Sequence, residues 1–92
     1  MIVVYKYKVE MIEAFTIEAP QGTQFLDVQV QHGVAHVWAR VDTTKPQATY
    51  KFGVAGTGHE LLGDLPYMPH VGSFQLGCGS LVFHLFGGIY AV

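Results

Sequence analysis

Three side chains at every second position, His36, Trp38 and Arg40, form the densest chemical signal in this sequence. On an extended chain that spacing projects all three from one face. Just upstream, Asp27 and Gln29 alternate in the same way within Leu26-Asp27-Val28-Gln29-Val30-Gln31. An indole gives a stacking surface, a guanidinium a two-pronged donor, a carboxylate an acceptor, and an imidazole and an amide read polar edges. Together they suit a planar ligand with polar edges or a phosphate. The other reading of the same residues is packing, with Trp38 anchoring this face under another sheet or subunit and Asp27 paired with Arg40.

A second candidate is Gly56-Thr57-Gly58-His59. Its exposed N–H groups and hydroxyl can form a small anion-binding concavity, although the glycine spacing matches neither a phosphate loop nor a dinucleotide fingerprint. The plainer reading is a turn. Five histidines (His32, His36, His59, His70 and His84) raise the question of metal. They contain no His-X-His or His-Glu-X-X-His, and the single Cys78 completes no Cys-X-X-Cys, so no metal site and no cofactor is expected. Ser73, Ser80, Thr57 and the carboxylates form no nucleophile–base or paired-acid pattern. A binding protein is expected ahead of an enzyme; a small hydrolase, the remaining catalytic option, would use His59 or His36 as general base.

Strands must position these residues. His32-Gly33 separates two alternating runs from Phe25 to Val41. A two-residue turn there opposes Gln31 to Val34, Gln29 to His36 and Asp27 to Trp38. One face then carries Leu26, Val28 and Val30 against Ala39, Val37 and Ala35. The other carries Phe25, Asp27, Gln29, Gln31, His36, Trp38 and Arg40. Around this hairpin, alternation predicts strands over 2–9, 15–18, 49–54, 71–76 and 81–86. Gly77-Cys78-Gly79-Ser80 is a hairpin turn that opposes Leu76 to Leu81 and Phe74 to Phe83. Residues 55–66 break the alternation and hold at most one helical turn, and Gly87-Gly88 releases an apolar tail, Ile89-Tyr90-Ala91-Val92. The final strand, apolar on both sides, belongs at the centre of a sheet or under a second subunit.

Seven short strands without an amphipathic helix predict an all-β fold, a single small antiparallel β-sandwich or partly open barrel spanning 1–92. Half of the 92 residues are hydrophobic and only 13% are charged. So small a body leaves apolar surface in water, which predicts a homo-oligomer. A net charge of −2 with five Lys and Arg disfavours a grip on long nucleic acid. Prolines, histidines and glycines interrupt the longest uncharged run, so no membrane span is expected, and the short N-terminal apolar run precedes its lysines, unlike a secretion signal.

Taken together, Phe15-Thr16-Ile17-Glu18-Ala19-Pro20 with Gly22, Leu26 to Gly33, Trp38-Ala39 with Val41-Asp42, Gly56 to His59, Gly72 to Leu76 and Leu81 to Phe86 carry a resemblance over nearly the whole chain. The sequence resembles a family of small uncharacterised proteins encoded in tailed-bacteriophage genomes and prophages. It departs from that pattern in its apolar ending and in Gly77-Cys78-Gly79, where similar proteins tend to have His-Gly-Gly. The resemblance assigns no activity. It implies a phage source, and short accessory phage proteins often counter host defence. The expectation is therefore an oligomeric binding protein in the host cytoplasm that sequesters a small nucleotide-like defence signal between subunits. Its rival is a protein–protein module, either an inhibitor of a host defence complex or a minor virion component.

Overall fold

The computed structural model describes residues 1–91. Seven strands form two antiparallel sheets that pack as a sandwich and do not close into a barrel. They are β1 (Ile2–Lys8), β2 (Phe15–Pro20), β3 (Gln24–Gln31), β4 (Val34–Asp42), β5 (Gln47–Gly56), β6 (His70–Leu76) and β7 (Leu81–Tyr90). The first sheet has the order β1-β4-β3 and the second β2-β5-β7-β6. Among the described residues the one helical turn is a 3-10 turn over Leu65–Tyr67. Val92, the end of the expected apolar tail, lies outside the described residues.

The central hairpin turns where its chemistry demands. His32 and Gly33 both take positive φ, 53° and 78°, the conformation a two-residue hairpin loop needs and one that glycine adopts without steric cost. Gln31, Gln29 and Asp27 then face Val34, His36 and Trp38 as the pattern predicts. Beyond Asp27 the register shifts: a bulge places Phe25, rather than Leu26, opposite Ala39. The extra residue flips the faces. Leu26, expected inside, is exposed, and Phe25, expected on the polar face, packs against the core.

That core joins both sheets. Val28, Ala35 and Val37 meet Ile17, Ala19, Tyr50, Phe52, Val54, Phe74 and Leu85. The alternation of β4 explains its share: Ala35, Val37, Ala39 and Val41 are buried while His36, Trp38 and Arg40 point outward. Phe25 stands edge-on to Tyr50 and Phe52, the favourable geometry for aromatic quadrupoles.

The final strand is central in its sheet, between β5 and β6. It does not stop at Phe86. Gly87, at φ 135°, and Gly88 form a bulge against Lys51–Phe52 that carries the ladder on to Tyr90, which lies opposite Tyr50. The tail expected after Gly88 is thus sheet as far as Tyr90, whose ring stacks on Tyr50 at 5.0 Å. The Tyr50 hydroxyl donates to the Pro20 carbonyl at 2.8 Å. Its burial raises the Tyr50 pKa, and the Gly22 N–H donated to the Tyr90 hydroxyl lowers that of Tyr90.

A smaller apolar cluster covers the outer side of the second sheet, where Leu65 and Met68 close over Ala55 and Phe86. Lys51 ties this cover down by pairing with Asp64.

Candidate functional site

The first sheet presents its outer face to solvent, with β4 along the middle. Each of its three outward side chains has two cross-strand neighbours. Trp38 lies between Lys6 and Asp27, His36 between Lys8 and Gln29, and Arg40 between Val4 and Gln24. The β1 neighbours are what the sequence reading missed: the pairing of the first strand with β4 brings two lysines beside the aromatic ring. Of the five Lys and Arg in the chain, Lys6, Lys8 and Arg40 share this face. The alternation Val4-X-Lys6-X-Lys8 puts both lysines on one face of a strand but does not say which strand it joins.

Hydrogen bonds hold the polar groups in place. Lys6 Nζ donates across β4 to Gln31 Oε1 at 2.6 Å, and Gln29 Nε2 donates to Asp27 Oδ2 at 2.8 Å. Asp27 Oδ1 accepts the Val28 N–H at 2.8 Å. Arg40 donates to Gln24 Oε1, which the bulge sets opposite it, and the Asp27–Arg40 pair of the packing reading does not form. His36 donates through Nδ1 to the Val34 carbonyl at 3.1 Å. Its ring lies nearly parallel to the indole, 20° between planes and 6.4 Å between centroids. Near the end of this face, Asp42 accepts from the Thr44 hydroxyl and N–H, which hold its carboxyl below the usual range.

This arrangement combines a half-buried indole with ammonium, guanidinium and imidazole groups around it. Chemically it can stack a flat ring and neutralise an anion attached to that ring. It is an open sheet face. A ligand held there is covered on one side only by this chain.

The second candidate lies elsewhere. Gly56 ends β5, and the His59 N–H closes the turn onto the Gly56 carbonyl at 3.1 Å. The His59 ring packs over Gly56, where a Cβ would sit 2.8 Å from Nδ1, so a larger residue there would push this exposed ring aside. Gly56 and His59 line a groove of about 670 Å³ with Met11, Ile12, Glu13 and Glu60. None of His36, Trp38 or Arg40 lines it. Asp27 and Gln29 line a different cleft, facing Ser73 and Gln75 across the gap between β3 and β6. Thus one chain brings Asp27, Gln29, His36, Trp38 and Arg40 together, and places Gly56, Thr57, Gly58 and His59 at an end of the other sheet.

A further polar cluster escaped the sequence reading. His84 on β7 contacts Thr57 Oγ1 through Nε2 at 2.8 Å, and Ser73 Oγ through Nδ1 at 3.2 Å. His70 Nε2 lies 3.4 Å from the same Nδ1. Among the described residues no three of His, Cys, Asp and Glu converge as a metal-binding set, and no helix is long and apolar enough to cross a membrane.

These features define an antiparallel β-sandwich domain with an exposed aromatic and cationic sheet face. A family model described as a domain of unknown function (DUF7352) matches residues 1–91, and the chain belongs to that family. No curated protein and no solved structure matches it.

Proposed function

We propose that this chain is a binding protein, not an enzyme, whose ligand is a small nucleotide-like molecule held on the Trp38 face. The observation that carries the reading is the clustering of three of the five Lys and Arg side chains around the single tryptophan. Lys6, Lys8 and Arg40 supply charge for a phosphate, Trp38 stacks the base, and Asp27, Gln29 and His36 meet its polar edges. Because the face is open, a second copy completes the enclosure, which accords with the exposed Ile2 and Val4 on the same face of neighbouring β1. The Gly56–His59 loop joins the site only if the second copy brings it there. In the setting of a tailed-phage genome the ligand is a host-defence nucleotide signal, sequestered in the host cytoplasm.

One observation favours a second reading. Trp38 stands on the outward face of a sheet between two flanking strands, a shape that also fits a protein partner, such as a host defence complex or a virion neighbour.

Trp38 is the only tryptophan, so its emission reports directly on the site. Titration with a panel of linear and cyclic nucleotides should give a saturable change for at least one, with native mass spectrometry showing an intact ligand on a defined oligomer. A hydrolysed ligand would identify an enzyme. An unresponsive tryptophan across the panel, together with retention of a host protein by the wild type but not Trp38→Ala, would support the protein–protein reading.

A further inference from the structure

The outer face of the second sheet holds a pair of histidines whose geometry the proposed nucleotide site does not use. Ser73 and His84 are directly opposed on β6 and β7. His70 belongs by simple alternation to the other face, but a bulge at Val71 turns it to the same side. The ring of His70 is then set edge-on against Phe86, 5.3 Å between centroids and 73° between planes.

Thr57 determines which nitrogen of His84 is free. Its hydroxyl lies 3.3 Å from the Val82 carbonyl, to which it donates, and 2.8 Å from His84 Nε2. A hydroxyl already donating to a carbonyl accepts from the imidazole, so Nε2 carries the proton and Nδ1 keeps its lone pair. That Nδ1 is the atom facing His70 Nε2 at 3.4 Å and Ser73 Oγ at 3.2 Å. A hydroxyl orienting the far nitrogen of an imidazole is the outer-shell arrangement that fixes the tautomer of metal-ligating histidines. The bite agrees as well: two nitrogens each about 2.05 Å from a tetrahedral ion are about 3.3 Å apart.

We propose that His70 Nε2 and His84 Nδ1 bind one divalent transition-metal ion of the zinc class. Ser73 Oγ lies beside its open side, and water fills the remaining positions. Imidazole donors select zinc, nickel or copper over magnesium or calcium. With two protein nitrogens the site is weaker than a closed four-ligand structural centre and leaves coordination positions for another molecule. Since Thr57 lies in the Gly56–His59 loop, bound metal also fixes the start of that loop on β7.

The test is isothermal titration of the untagged protein with zinc chloride, beside the same titration with magnesium chloride. One zinc per chain should bind, magnesium should not, and Thr57→Val should weaken zinc about tenfold by releasing the tautomer. His84→Ala should abolish binding. His70 is exposed and outside the core, so His70→Ala keeps the test valid even where His84→Ala fails to fold. His32→Ala, in the hairpin turn, should leave zinc affinity unchanged. Absence of zinc binding to the wild type, or affinity undiminished in His70→Ala, overturns the proposal.

Discussion

Phe25 meets Phe52 edge to face across the sandwich, 4.8 Å between ring centroids and 83° between planes. The contact exists because the β-bulge at Leu26 reverses the facing of the strand just before the polar run begins. Phe25→Ala should therefore lower stability by about 3 kcal/mol, the usual loss for a core phenylalanine, while Leu26→Ala changes it by less than about 1 kcal/mol. A straight ladder would give the opposite order. Urea unfolding of the two variants, followed by far-ultraviolet circular dichroism, distinguishes the arrangements.

A close backbone crossing gives a second stability test. The segment before β2 lies against β5, with the Val54 N–H donating to the Ile12 carbonyl at 3.0 Å. A Cβ at Gly53 would collide with the Glu13 carbonyl oxygen and with the Leu65 side chain. The carbonyl cannot yield without moving the backbone, so Gly53→Ala should cost about 3 kcal/mol or more. The measurable outcome is a lowered denaturant midpoint, together with faster amide exchange at Val54 than in the wild type.

These two positions also mark where sequence stops being a guide to this fold. Alternation located all the strands, because a half-buried strand reads with period two and the turn residues punctuate it clearly. The register Phe74–Phe83, expected from the Gly77–Ser80 turn, already implied that Ser73 faces His84. What alternation cannot foresee is a bulge, since one inserted residue reverses every facing beyond it. The bulge at Leu26 puts Phe25 in the core, that at Val71 brings His70 beside His84, and that at Gly87–Gly88 extends β7 to Tyr90. The Trp38 face was legible within its own hairpin. Its lysines were not, because no local pattern states that the first strand pairs with the fourth rather than the third.

Asp42 should contribute to acid sensitivity. Hydrogen bonds from Thr44, then the nearby N-terminal ammonium at 3.6 Å and Lys45, favour its ionised form and lower its pKa in the folded chain. A depressed folded pKa gives stability that is present above the unfolded value and lost as pH falls through the folded one. Asp42→Asn should therefore be less stable than wild type at neutral pH, and the difference should shrink as pH falls below the ordinary carboxylate range and through the depressed folded value. A stability gap that persists unchanged into acid would assign the effect to altered turn geometry instead of charge.

The face around Trp38 separates charge from stacking. Lys6, Lys8 and Arg40 are exposed, so their attraction for an anionic ligand acts through solvent and is screened by salt. If the ligand is nucleotide-like, Lys6→Ala and Arg40→Ala should each weaken binding about tenfold at low ionic strength, and by less in 0.5 M salt. Trp38→Ala should cost about 1–3 kcal/mol at either salt concentration, because loss of a stacking surface is not an electrostatic deficit. The outward facing of these side chains from buried Val37 and Ala39 predicts little change in thermal midpoint for all three variants. Native mass spectrometry beside the titrations completes the argument: a variant that loses ligand while keeping its oligomeric mass has lost recognition, and one that loses both has exposed an interface at Trp38.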